Sequence, residues 1–184
     1  MRAGLFRPEE FKDNCGFGLI AHMQGEASHH LLQTAIQSLT CMTHRGGINA
    51  DSKTGDGCGL LMQKPDAFLR AMAKQHFDAD LPAHYAVGMI FLSQDAAKAE
   101  TARTSLNEQI AAQGLTLVGW REVPVDTTVL GRLALERLPR IEQVFVAAEG
   151  LSERDFGIKL FFARRRAEVA LADDKEFYVC SLSD

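Results

Sequence analysis

The sequence predicts a mixed helix-and-strand domain with one ordinary hydrophobic core. Three observations carry this. A period-two run follows Cys15, a long amphipathic helix pattern follows it, and from residue 84 strand and helix patterns alternate to the end of the chain. The 184 residues are 46% hydrophobic and 24% charged, enough apolar material for one core and too little length for two large ones.

In the run CGFGLIAHM, residues Phe17, Leu19, Ala21 and Met23 alternate with Gly16, Gly18, Ile20 and His22, which predicts a strand. Its two glycines weaken a strand and suit a place where something approaches the backbone closely. Gly25 ends it, and Ser28 is a good N-cap for a helix over 29–43 whose buried stripe is Leu31, Leu32, Ala35, Ile36, Leu39 and Met42. Glycine-rich sequence runs through HRGG at 44–47 to TGDGCG at 54–59. Residues 60–62 predict a second strand, and Pro65 suits the first turn of a helix burying Phe68, Leu69 and Met72.

Strands follow at 85–92, 115–123, 141–147 and 176–182, with helices over 94–113, 128–138 and 152–171 between them. Gly114 closes the first of these helices, and Ser152 with Asp155 resembles a capping box opening the last. Residues 1–14 are charged and read as a short appendage, and the final apolar strand suggests a break inside a larger domain.

The formal charge of −4 leaves no basic footprint for nucleic acid. The run Arg164, Arg165, Arg166 reads as a solvated helix face. No run of about 18 apolar residues exists to span a membrane, and the N-terminus lacks the apolar core of a secretory signal. Cys15, Cys41, Cys58 and Cys180 fit neither a disulfide framework nor paired metal ligands, so reduced thiols in a cytoplasmic protein are the simplest reading.

Four features could carry chemistry. Cys15 heads a strand among glycines, where a thiol is a good nucleophile once a base removes its proton; core filling is the alternative. Cleavage of the Asn14–Cys15 bond would free an α-amino group titrating near ~7.7–8.0, suited to that base. Arg45 sits among glycines, where its guanidinium can grip a carboxylate through two bonds; a surface arginine at a helix C-terminus is the alternative. TGDGCG lacks the lysine and hydroxyl of a phosphate loop, and it reads as a tight cleft-shaping loop with Asp56 capping backbone amides. His22, His29, His30 and His44 lack the spacing and cysteine partners of a zinc site, so no metal is expected.

Taken together, DNCGFGLIAH at 13–22 and MTHRGGINADSKTGDGCGLLMQKPD at 42–66 resemble the class II glutamine amidotransferase domain of the glutamate synthase family. The likeness continues through YAVGMIFL, VGWREVP, LPRIEQVFV and FYVCSLS, so it covers the chain from residue 13 onward. Gly47 and Cys58 stand where that family's blocks have alanine.

The resemblance implies an α+β N-terminal-nucleophile hydrolase fold, a four-layer α/β/β/α sandwich present here in part. Residues 1–14 then correspond to a propeptide-like leader, and 15–184 to the N-terminal part of an incomplete amidotransferase domain. It implies Cys15 as the catalytic nucleophile on the glutamine amide and Arg45 as a substrate-binding residue. It implies no cofactor in this piece. The intact enzyme of the family uses FMN and an iron–sulfur cluster, with FAD and NADPH on a small subunit, and makes glutamate from glutamine and 2-oxoglutarate. The implied partners are glutamine, the remaining domains of the large subunit and the small subunit.

The family's later blocks, a second substrate-binding arginine and an Asn-Gly oxyanion pair, do not occur in these 184 residues, so the fragment is expected to be inactive alone. A non-enzymatic binding or regulatory α/β module is the competing reading, and an Asn-Cys junction ahead of a strand argues against it.

Overall fold

A computed structural model of the chain describes residues 16–183, so the leader-like segment and Cys15 lie outside the described residues. The chain divides into two compact units, one built from residues up to 61 plus 128–136, the other from 62–127 plus 137 onward.

The second unit carries the sheet. Its strands are β1 (His84–Leu92), β2 (Thr116–Glu122), β3 (Arg140–Ala148) and β4 (Tyr178–Ser183), in the order β2-β3-β1-β4. Every neighbouring pair is antiparallel, with Ala86 opposite Val146 and Gly88 opposite both Val144 and Leu182. Alternation of strands with helices does not require an all-parallel sheet; here the helices after β1 and β3 carry the chain to β2 and β4, each two places away in the sheet, with an antiparallel strand between.

Period-two alternation sends the two faces of the central strands into separate cores. Ala86, Ile90, Leu92, Val144 and Val146 pack with Ala99, Leu106 and Ile110 of α3 (Ala96–Ala112) and Phe156, Leu160 and Ala163 of α5 (Glu153–Ala170). On the opposite face, Tyr85, Phe145 and Ala147 pack with Leu69 and Ala73 of α2 (Asp66–Phe77). Central strands covered on both faces explain why β1 and β3 read as nearly continuous apolar runs.

Local chemistry sets the helix ends. Asp95 Oδ1 accepts from the amides of Ala97 and Lys98, both at 2.9 Å, so α3 starts at Ala96, two residues later than expected. Gly114 takes the left-handed conformation (φ 69°) just past its end. Ser152 Oγ accepts from Asp155 N at 3.1 Å, the cap expected for α5. On α2, however, Phe68 is exposed and the buried residues are Leu69 and Ala73. Phe68 lies one position, about 100° of helix rotation, from Leu69, which takes the sheet-facing place.

The first unit holds α1 (His29–Cys41), a 3₁₀ turn at Thr43–Arg45 and the single-turn α4 (Arg132–Leu135). Ser28 caps α1 as expected, accepting from Leu31 N at 3.2 Å. The α1 stripe is only half-buried, and Ile36 is exposed. The period-two segment at 16–23 and the apolar run at 60–62 are irregular rather than strands. A strand exists only through ladder bonds to a neighbour, and neither segment has one among the described residues.

No helix of the described residues is long and apolar enough to cross a membrane.

Candidate functional site

The first unit is organised around the end of α1. Met42 N donates to Leu39 O at 3.0 Å, Arg45 N to Met42 O at 2.8 Å and Gly46 N to Thr43 O at 3.1 Å. The helix therefore tightens into a 3₁₀ turn that delivers Arg45 at its last position. His44 Nδ1 lies 3.0 Å from Cys41 O, holding the imidazole back against the helix end.

Arg45 is exposed, and its stem lies on the backbone of Gly16. A Cβ at Gly16 would sit 3.7 Å from Arg45 Cβ, 3.8 Å from Arg45 Cγ and 3.6 Å from Met42 Sδ. Thus Arg45 stands beside the residue that follows Cys15, the nucleophile candidate, which itself lies outside the described residues.

Beyond Arg45 the chain makes a small hairpin. Ile48 bridges Gly55, and Asn49 N donates to Thr54 O at 2.8 Å. Asp56 closes its open end by accepting from Gly47 N at 2.6 Å, the amide-capping role expected for that carboxylate. Gly47 stands where the expected residue was alanine; a Cβ there would lie 3.1 Å from Asp56 Oδ2, a close but small encroachment.

At the hairpin tip, Asp51 Oδ1 accepts from Lys53 N at 3.1 Å and Thr54 N at 2.8 Å, while Oδ2 accepts from Thr54 Oγ1 at 2.6 Å and Leu133 N at 3.1 Å. Ala134 N donates in turn to Thr54 Oγ1 at 3.2 Å. These bonds, the Thr54 hydroxyl first, then the backbone amides of Thr54 and Leu133, hold the Asp51 carboxyl far below the usual carboxylate range. Gly131 is required at this junction, because a Cβ would fall 2.4 Å from Thr54 Oγ1 and 2.5 Å from Asp51 Oδ2.

Sequence reasoning missed the Asp51–Thr54 pair and its partners. The local signal was present, since an aspartate in a loop commonly accepts from the amide two residues on as an Asx turn, here Lys53 N. The contacts to residues 133 and 134, 82 and 80 positions away, have no local signature.

Cys41, Cys58 and Cys180 are all free and exposed. Cys41 ends a helix with no buried residue, Cys58 lies in irregular chain, and Cys180 alternates with the buried Val179 on β4. No group of three or more His, Cys, Asp or Glu able to hold a metal ion occurs among the described residues.

Residues 15–184 match the family model for class-II glutamine amidotransferases. The large chain of the NADPH glutamate synthase of Bacillus subtilis is 38% identical over 185 residues, covering 98% of this chain and 12% of that protein. Ferredoxin-dependent glutamate synthase 2 of Synechocystis is 40% identical over 180 residues, covering 95% of this chain and 11% of that protein. The NADH glutamate synthase of Saccharomyces cerevisiae is 35% identical over 195 residues, covering all of this chain and 9% of that protein. The chain thus spans about a tenth of the length of these relatives.

Proposed function

Because the chain belongs to the class-II glutamine amidotransferase family, whose domain has the N-terminal-nucleophile hydrolase fold, we propose that it is the ammonia-generating part of a glutamate synthase, with Cys15 as nucleophile and Arg45 as the grip on glutamine. The observation that carries this is the Arg45 stem lying on Gly16, one residue from Cys15. A guanidinium at that place can hold a substrate carboxylate while the side-chain amide reaches the thiol.

The chemistry begins with hydrolysis of the Asn14–Cys15 bond, which frees the Cys15 α-amine. That amine takes the thiol proton, and the thiolate attacks the glutamine Cδ carbonyl. The tetrahedral intermediate collapses by breaking the C–N bond, with the ammonium of Cys15 protonating the leaving ammonia. Water then attacks the γ-glutamyl thioester, returning glutamate and the thiol. In the intact enzyme the ammonia would pass to 2-oxoglutarate.

FMN and an iron–sulfur cluster, with FAD and NADPH on a small subunit, would supply the electrons for that second half. We assign these groups to the rest of the large chain and to the small subunit. We place the chain in the cytoplasm, where exposed thiols such as those of Cys41, Cys58 and Cys180 stay reduced.

The test is an intact mass of the full-length large chain, with and without a glutamine-shaped chloroketone. Loss of residues 1–14 together with one adduct at Cys15 is the expected result. A retained leader with no adduct at Cys15 would leave the non-enzymatic module as the better reading.

A further inference from the structure

We propose that Asp56 is a positioning residue for substrate capture: its carboxylate, bonded to the Gly47 amide, holds the loop that carries Arg45. The proposal rests on the reading above that Arg45 grips glutamine.

Arg45 stands exposed at the end of a 3₁₀ turn, with its Cβ and Cγ beside Gly16. Two glycines, Gly46 and Gly47, follow it, and glycine leaves the backbone many alternatives. Something must fix that backbone if the guanidinium is to meet a carboxylate at one place. The 2.6 Å bond from Gly47 N to Asp56 Oδ2 does so two residues beyond Arg45, and a charged acceptor makes it one of the stronger kinds of hydrogen bond.

The Asp56 end of the brace is itself anchored. Ile48 bridges Gly55, so Gly47 and Asp56 are the next pair along the same small ladder. At the tip of that ladder Asp51 and Thr54 receive the amides of Leu133 and Ala134, tying the hairpin to a segment 80 and 82 positions away in the chain. The hairpin is thus a strut, fixed at its tip by Asp51 and Thr54 and joined at its base to the Arg45 loop by Asp56. Asp56 touches neither substrate nor nucleophile in this scheme; it acts through Arg45.

The experiment uses the processed full-length large chain and compares Asp56→Ala and Asp56→Asn with wild type. Glutamine KM and kcat are measured for ammonia release. Cys15 alkylation is timed with two reagents, a glutamine-shaped chloroketone that carries an α-carboxylate and iodoacetamide, which does not. Asp56→Ala should raise KM about tenfold, the factor that about 1.4 kcal/mol corresponds to, while kcat changes much less. Chloroketone labelling should slow by about the same factor, and iodoacetamide labelling should stay as in wild type. Asp56→Asn keeps an acceptor oxygen and should recover most of the loss.

An unchanged KM in Asp56→Ala would overturn the proposal. So would equal slowing of both reagents, which marks a general loss of the site rather than misplacement of Arg45. Failure of the underlying reading looks different: the chloroketone would then spare Cys15 in the wild-type protein itself.

Discussion

Tyr85 Oη donates a 2.7 Å hydrogen bond to Asp66 Oδ1, joining the buried start of β1 to the exposed first turn of α2. The ring is wholly buried, with Lys64 Nζ 4.2 Å and the Arg70 guanidinium 4.9 Å from its centroid. Arg70 Nε also bonds Asp66 Oδ2 at 2.9 Å. Burial, then the bond to Asp66, pushes the tyrosine hydroxyl well above its usual range, while the same bond, followed by Arg70, lowers Asp66. One exposed carboxylate thereby satisfies a buried hydroxyl and sits where the α2 dipole favours a negative charge.

Removing only the hydroxyl tests that arrangement. Tyr85→Phe keeps the ring and its cations, and should destabilise the protein by about 1 kcal/mol. Tyr85→Ala also empties the core position and should cost about 3–5 kcal/mol. Urea unfolding of the two variants measures both; equal losses would mean that the hydroxyl, not the ring, carries the contact.

Glu142 supplies a second test on the other face of β3. It is only 3% exposed, and Oε1 receives Arg103 at 2.9 Å and Arg140 at 2.5 Å. Removing Glu142 takes away the buried acceptor and leaves Arg103 with Glu100 and Arg140 with Glu122, both exposed carboxylates. Glu142→Ala should therefore cost about 1–3 kcal/mol, the range for lost hydrogen bonds to charged groups. A loss below about 1 kcal/mol, the range of surface pairs, would show that water reaches Arg103 and Arg140 freely.

The contrast between the two units explains what the sequence could tell. After residue 84 the strands and the two long helices lie close to their expected places, because the apolar period, Asp95, Gly114 and Ser152 are local signals that agree with the final packing, whereas the helix expected over 128–138 is only the single turn Arg132–Leu135. Before residue 84, period-two patterning at 16–23 marked a strand, but a strand needs a partner and the described residues supply none. Arg45 and Asp56 were legible because glycine-rich flanks single out the polar residues among them. The Asp51–Thr54 junction was not, since its partners lie some eighty residues downstream. Cys41, Cys58 and Cys180 are exposed against cysteine's usual preference for burial, because that preference carries no information about an uncovered helix or an edge strand.

Arg45 should matter to activity and not to stability. It is exposed, at the end of a 3₁₀ turn. In the full-length enzyme Arg45→Ala should lower glutaminase kcat/KM by about 10²-fold or more, the scale of a lost bidentate positioning contact, with Tm nearly unchanged. A fall of several degrees with normal turnover would assign it a structural role instead.

The last prediction concerns acid. Asp51 is held well below its ordinary value of 3.8 by the Thr54 hydroxyl and by backbone amides that include Leu133. When the hairpin opens, those bonds break and the carboxyl returns to about that ordinary value. Above it the open state binds no extra proton, so the junction contributes its full stabilisation at neutral pH. As pH falls below 3.8 the open state takes up a proton that the closed state refuses, and opening becomes easier. One proton per opening corresponds to about tenfold in the opening constant per pH unit. Amide exchange at Leu133 and Thr54, corrected for the intrinsic pH dependence of exchange, reads this directly. Asp66 and Glu168 are also lowered, the latter by Arg164 and Arg165 against the opposing effect of burial, but both belong to the sheet-bearing unit. Asp51→Asn separates them. Its amide cannot accept at both positions, so protection at Leu133 should be weak at neutral pH and flat below pH 4, roughly the ordinary carboxylate value. Protection in the wild-type protein that ignores pH through this range would show that opening of the junction does not expose Asp51.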